Sequence, residues 1–127
     1  MSSPDPNSRP YPPLRREAIL QADLPSSDPP VSSIKGARIR FAPGQPTGLH
    51  RHPISTAGVV TQGIFVFQLE GQESRLLSKG EGFFEPSGQT VLRFDNASSS
   101  EEAEIVCFYL CGSDDAPLIE ILDGSTK

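Results

Sequence analysis

Proline and glycine interrupt this chain so often that they leave no room for a long helix. The 127 residues include 13 prolines and 11 glycines, and both residue types end regular segments or mark turns. Between them lie short stretches of alternating or continuous apolar residues, a pattern that favours strands. The predicted strands cover residues 33–41, 50–52, 58–61, 64–69, 74–77, 82–85, 91–94, 104–110 and 118–122. Roughly eight to ten short strands at this spacing predict an all-β barrel or sandwich.

The N-terminal segment differs from the rest of the chain. Its first sixteen residues are rich in proline and poor in apolar groups, so they cannot bury enough surface to offset the cost of ordering. Residues 1–16 are therefore predicted to form a flexible Pro-rich arm, and residues 17–127 a single barrel domain. Residues 17–24 fit either a helix or a strand, which Pro25 would end.

Charge and hydropathy exclude several classes of partner. The chain carries 11 Lys and Arg against 16 Asp and Glu, a net charge of −5, which repels phosphate backbones and makes nucleic acid an unsuitable partner. No stretch approaches the ~20 apolar residues that cross a bilayer, so no membrane partner is expected. The N-terminus has neither the basic start nor the apolar run of a signal peptide. A cytoplasmic protein is the expectation.

The two cysteines are also consistent with a cytoplasmic protein. Cys107 and Cys111 lie four positions apart in one predicted strand, where they would be roughly 13 Å apart. A disulfide joins Cα atoms no more than ~7 Å apart. Both are therefore predicted to be free, buried thiols.

The two histidines carry the clearest chemical signal. His50 and His52 occupy positions i and i+2 of a predicted strand, so their imidazoles project from the same face. Two adjacent imidazoles can share one metal ion, although the same pair also occurs on exposed strands. Two ligands alone would hold a divalent ion poorly, because three or four protein ligands are usual.

The residues around these histidines resemble a known family. Gly44, His50, His52, Thr56 and Gly63 have the spacing of the first cupin motif. In that motif a glycine, two histidines, a glutamate and a glycine recur. The resemblance covers residues 18–122. Over this range the sequence is similar to small single-domain bacterial and fungal cupins, several of which act in secondary metabolism. It implies a double-stranded β-helix, or jelly-roll, barrel with the two histidines facing inward.

The second cupin motif is matched only at its start. Gly80, Pro86 and Gly88 resemble its opening, but the histidine that normally follows falls on Val91, or on Leu92 if one residue is inserted. In the first motif the glutamate ligand falls on Thr56. Two of the four usual ligands remain, His50 and His52. The resemblance therefore implies a weakly held divalent ion (zinc, iron, nickel or manganese) or none.

Glu85 is the candidate for the missing acidic group. It ends the segment Gly-Phe-Phe-Glu just before Pro86. If Glu85 points inward, it is predicted to lie against Phe83, with its pKa raised toward neutrality by burial, and to act as a general acid or base or as a metal ligand. The alternative is a solvated glutamate at a strand end. Gln62 and Tyr109 are weaker candidates for pocket hydrogen bonds, and a plain core role is preferred for Tyr109.

Three functions follow from these residues. The first is an enzyme that runs non-redox acid–base chemistry (isomerisation, cyclisation or elimination) on a natural-product-like small molecule with Glu85, His50 and His52. The second is a metal-dependent oxygenase with a sparse two-histidine site, and the third is a ligand-binding cupin without turnover. A homodimer is also predicted, because Ile64 and Val66 make one strand apolar on both faces.

Overall fold

The computed structural model describes residues 10–112 and 117–122, and the regular structure within them consists of strands. In chain order the strands are β1 (Ser33–Phe41), β2 (His50–Arg51), β3 (Thr56–Gln62), β4 (Ile64–Leu69), β5 (Arg75–Ser78), β6 (Gly82–Glu85), β7 (Val91–Asn96), β8 (Ala103–Cys111) and β9 (Glu120–Ile121). The predicted all-β fold is confirmed. The described residues contain no helix long and apolar enough to cross a membrane. Residues 1–9 of the predicted arm lie outside the described part.

The strands form two antiparallel sheets. One has the order β1-β8-β3-β6 and the other the order β5-β4-β7-β2-β9. Strand β8 pairs with β1 over its whole length, from Ser33↔Cys111 to Phe41↔Ala103, and with β3 on its other side. Most sheet neighbours are distant in sequence, so the chain passes repeatedly from one sheet to the other, as in a jelly-roll barrel.

Aromatic side chains from both sheets meet in the barrel interior. Phe83 of β6 and Phe94 of β7 pack edge to face with ring centroids 4.9 Å apart, and Phe41 of β1 meets Phe65 of β4 at the same distance. All four are nearly inaccessible to solvent. Gly58 is the register partner of Phe83, and its lack of a side chain leaves room for the Phe83 ring. A Cβ on Gly58 would lie only 2.3 Å from that ring. Phe41, Phe83 and Phe94 also line the space into which His50 of β2 and Glu85 of β6 project.

Two predictions about local structure need correction. Residues 17–24 form neither a helix nor a strand; they run as an irregular segment whose Ile19 carbonyl lies close against Gly82 of β6. The predicted strand at 118–122 is reduced to Glu120–Ile121, because its partner β2 offers only His50 and Arg51 for pairing. Both cysteines are free and buried, as predicted.

Candidate active site

The two histidines lie side by side inside the barrel. His50 begins β2, which is paired with β7 through His50↔Val91, and His52 follows just after the strand ends. Their side chains are buried, with 2 % and 4 % of the residue exposed, and the rings meet edge to face at 5.1 Å. The shared face expected from their i and i+2 spacing is thus the inner face of the barrel.

Glu85 reaches the same point from the other sheet. It is the last residue of β6 and lies opposite Thr56 of β3 in the register. The residue is only 3 % exposed, and its Oε1 lies 2.6 Å from His52 Nε2 and 3.7 Å from His50 Nε2. The alternative of a solvated Glu85 is therefore wrong. Glu85 thus lies across the strand pair from Thr56, the position that corresponds to the glutamate of the first cupin motif.

Backbone carbonyls set the direction of both imidazoles. His50 Nδ1 donates to the Gly48 carbonyl at 2.9 Å, and His52 Nδ1 donates to the Leu118 carbonyl at 2.6 Å. A carbonyl oxygen can only accept, so the proton in each contact belongs to Nδ1. Both Nε2 atoms are thereby left to face Glu85, which is the arrangement usual for metal-binding histidines.

Three atoms with lone pairs therefore converge on one small space. His50, His52 and Glu85 each offer a ligand atom, and these atoms lie within 4.8 Å of one another. Two nitrogen lone pairs and a carboxylate repel one another unless a proton or a metal ion lies between them. Two imidazoles and one carboxylate, with the imidazoles oriented by outer hydrogen bonds, form a donor set suited to a divalent ion.

The ionisation of Glu85 differs from the sequence-based prediction. Burial alone raises the pKa of Glu85, but the hydrogen bonds from His50 and His52 and their positive charge outweigh it, so the pKa is lowered from its ordinary value. The pKa of His50 is raised, because hydrogen bonding to Glu85 and the Gly48 carbonyl outweighs the effect of burial. The predicted rise toward neutrality for Glu85 is wrong, since burial was weighed without the two imidazoles at their actual distance.

A small cavity of about 70 Å³ opens in front of these groups. Its wall is largely apolar and is formed mainly by Ile39, Phe41, Phe83, Phe94, Ile105, Cys107 and Ile119. Tyr109 also lines it, with its ring centroid 5.9 Å from that of His52, and burial raises the pKa of its hydroxyl. Gln62 is exposed on the outside of the barrel, so its predicted pocket contact is wrong.

Two features of the site could not be found in the sequence. Nothing in the pattern indicates that β6 pairs with β3 so that Glu85 lies opposite Thr56, because strand pairing is long-range. The carbonyl of Leu118, which orients His52, comes from a backbone group that every residue has. Thr56 and Val91, the positions where the family pattern lacks its ligands, are both buried.

An all-β jelly roll that holds a buried pair of histidines and a carboxylate is the architecture expected of a cupin. The sequence matches the cupin domain model over residues 37–109, more than half of the chain. This chain belongs to the cupin family. No curated protein sequence matches it.

Several solved structures share the fold. A DMSP lyase from Ruegeria pomeroyi superposes with a TM-score of 0.61 at 18 % identity, covering 75 % of this chain and 46 % of the lyase. An oxalate oxidase bound to the substrate analogue glycolate gives 0.58 at 23 %, covering 84 % and 63 %. A cupin-like protein from Thermotoga maritima gives 0.58 at 26 %, covering 74 % and 68 %. The chain thus spans less than two thirds of the lyase and of the oxidase.

Proposed function

We propose that this protein is a small-molecule enzyme that moves protons inside its barrel, with Glu85, His50 and His52 as the catalytic residues. The observation that supports this most is the 2.6 Å contact between His52 Nε2 and Glu85 Oε1 at the end of a largely apolar cavity. A carboxylate and an imidazole in hydrogen-bond contact place a proton acceptor and a proton donor within reach of the same substrate. The reaction is non-redox: isomerisation, cyclisation or elimination.

The proton movements balance without any co-reactant. Glu85 is ionised, since its pKa is lowered, so its carboxylate takes a proton from a carbon of the substrate. His50, whose pKa is raised, gives a proton to the substrate oxygen on which negative charge develops. In an isomerisation the same two groups reverse their roles at the neighbouring carbon, and the enzyme returns to its starting state.

A divalent ion at the three converging atoms would take the place of the shared protons, because the same Nε2 and carboxylate atoms would bind it. Zinc, iron, nickel or manganese held weakly by His50, His52 and Glu85 would supply a Lewis acid for a substrate oxygen. The chain's own contribution is to orient both imidazoles through the Gly48 and Leu118 carbonyls. The apolar wall of the cavity excludes water and strengthens these electrostatic interactions.

The cavity limits how much of a substrate can enter. A volume of about 70 Å³ accepts a group of a few heavy atoms, given that about 10–15 Å³ on the same measure is enough for one water. We infer that a natural-product-like substrate inserts only its reacting end. The remainder would lie at the mouth beside Ile119, which lines the cavity and is 42 % exposed.

A metal-dependent oxygenase is the second candidate. The observation that favours it is the set of three ligand atoms within 4.8 Å, two nitrogens and one carboxylate oxygen, which is the donor set of many non-haem iron centres. A binding protein without turnover would share the same fold, since fold alone does not decide function.

One pair of measurements separates these candidates. In the first, the purified protein is dialysed against a chelator and analysed for metal. In the second, the protein is incubated in D₂O with a panel of small carbonyl and hydroxycarbonyl compounds, and proton NMR follows the uptake of deuterium by each compound. We expect the wild type to incorporate deuterium and Glu85→Gln to lose this activity. Full iron occupancy after dialysis, with oxygen consumption and no exchange, would favour the oxygenase. Saturable binding of a panel compound without either signal would favour the binding protein.

We also propose a homodimer formed through the outer side of β4 and β5. Val66 lies opposite Leu76 in the strand pair, and Leu76 and Ile64 are 62 % and 44 % exposed. A second copy of the chain would cover these apolar side chains.

A further inference from the structure

A ring of three polar side chains lies beside the active site without lining its cavity. Asp28 precedes β1, and its carboxylate accepts a hydrogen bond from Ser55 Oγ at 2.7 Å through Oδ2 and one from Ser87 Oγ through Oδ1. The backbone N–H of Ser87 donates to Ser55 Oγ at 3.2 Å. Asp28, Ser55 and Ser87 thus form a closed set of contacts, here called the Asp28 ring.

Both serines are close neighbours of the site residues. Ser55 directly precedes Thr56, the strand partner of Glu85, and Ser87 follows Glu85 with one proline between them. The turn that contains Ser87 is also tied to the histidines, because Gly88 N–H donates to the His52 carbonyl at 2.8 Å. The Asp28 ring therefore joins the segment that carries His52 to the segment that carries Glu85.

The position of Glu85 explains why such a ring is needed. Glu85 is the last residue of β6, and the pairing of β6 with β3 ends at Thr56↔Glu85. Beyond it, Pro86 has no N–H to continue the ladder. The hydrogen bonds of the Asp28 ring extend the connection between the two segments past the end of the sheet. Pro86, with its fixed φ, transmits that restraint to Glu85.

The ring is also firmly anchored to the barrel. Ser55 is fully buried, so its hydroxyl requires an acceptor, which Asp28 provides. The Ser55 carbonyl in turn accepts from Leu110 N–H of β8 at 3.0 Å. Asp28 is held in a turn by its own N–H, which donates to the Pro25 carbonyl at 2.9 Å.

We propose that Asp28 is a positioning residue for the active site. By bridging Ser55 and Ser87, it holds the Glu85 carboxylate in contact with His52 Nε2. Asp28 touches neither the cavity nor the converging ligand atoms, so it acts only through its neighbours. This inference goes beyond the proposed reaction, because it concerns the geometry of the site whichever chemistry the site performs.

The chain contains only two histidines, which makes a direct spectroscopic test practical. Protein labelled with ¹⁵N-histidine gives four ring-nitrogen signals, and these report the proton and hydrogen bond at each nitrogen without metal or substrate. In Asp28→Asn one of the two carboxylate oxygens is replaced by an NH₂ group, so the side chain can no longer accept hydrogen bonds from both serine hydroxyls through separate oxygens. We expect it to shift the Nε2 signal of His52 while the Nδ1 signal of His50, held by Gly48, stays in place. Asp23→Asn, an exposed neighbour in the same segment, is the control and should change neither.

A second readout uses cobalt as the probe. Co²⁺ titration, followed by visible absorption, should show about 10-fold weaker binding in Asp28→Asn than in the wild type, as expected for outer hydrogen-bonding partners of metal ligands. If the wild type binds no cobalt, the metal fit of the site is wrong, and the NMR comparison still decides on Asp28.

Variants of Ser87 keep the test valid if Asp28→Asn does not fold. Ser87→Ala should reproduce the His52 shift, whereas Ser87→Thr, which keeps the hydroxyl, should restore the wild-type signal. Unchanged His52 signals in folded Asp28→Asn or Ser87→Ala would overturn the proposal. Equal shifts at both histidines would also overturn it, since they would indicate a general structural effect.

Discussion

Replacing Glu85 by glutamine should change the stability of the protein in a pH-dependent way. The substitution keeps the side-chain volume and removes the charge that faces His50 at 3.7 Å and His52 at 2.6 Å. At an effective dielectric of about 20, a pair of unit charges 3.7 Å apart attracts by roughly 4.5 kcal/mol. Burial of both groups offsets part of this attraction, so a net loss of about 2 kcal/mol is expected, as for a hydrogen bond to a charged group.

The pH at which this loss appears follows from the two pKa directions. The pKa of Glu85 is lowered from 4.5, so its contribution is present above that value and is lost as the pH falls through the lowered pKa. The pKa of His50 is raised from 6.5, so its contribution is complete below that value and is lost as the pH rises through the raised pKa. The free energy of unfolding of Glu85→Gln should therefore fall furthest below wild type between about pH 4.5 and 6.5.

Urea unfolding followed by far-UV circular dichroism measures this difference, because the chain has no tryptophan to report by fluorescence. Measurements at pH 5.5 and pH 9 are sufficient. Toward pH 9 the contribution of protonated His50 is lost as the pH rises through its raised pKa, so the deficit of the variant should be smaller than at pH 5.5. The same deficit at both pH values would refute the argument that a charged pair occupies the site.

Three further predictions concern the core, the metal and the assembly. Phe83→Ala removes a ring that is 1 % exposed and should lower the free energy of unfolding by about 3–5 kcal/mol in the same urea assay; a loss below 1 kcal/mol would contradict the packing described. His50→Ala should weaken cobalt binding by at least about 100-fold in absorption titrations, since only two ligands remain, and undiminished binding would place the metal elsewhere. Ile64→Lys should convert the dimer to a monomer in sedimentation at micromolar concentration; a wild type that is already monomeric at 13.7 kDa would contradict the homodimer.

Local pattern was enough to predict most of the strands, whereas the jelly-roll barrel was implied by the resemblance to cupins. The alternation of residues 33–41 and the continuous apolar run of residues 64–69 predicted strands with the observed bounds, because side-chain pattern and turn residues are local properties. Residues 17–24 were ambiguous in the sequence and are irregular in the structure, where contacts with Gly82 of β6 decide their path. Such contacts join residues far apart in the chain and leave no local periodicity.

The candidate site could be predicted only in part. The spacing of His50 and His52 places both rings on one face, and the strand pattern places Glu85 on the same face as Phe83. The sign of the pKa change at Glu85 depends on its distance to two imidazoles, which is set by how the sheet that contains β6 packs against the sheet that contains β2. The role of Asp28 likewise rests on contacts with residues 27 and 59 positions away.

The most direct test of the proposed chemistry is the rate of deuterium incorporation into an active panel compound by Glu85→Gln compared with the wild type. Glu73→Gln, which changes an exposed glutamate between β4 and β5, is the matched control for loss of one negative charge. Glu85→Gln should exchange ~10²–10⁴-fold more slowly than the wild type, the usual contribution of a general acid or base, while Glu73→Gln should exchange at the wild-type rate. A Glu85→Gln rate within a factor of about three of wild type, far below that range, would contradict the assignment of Glu85 as the base.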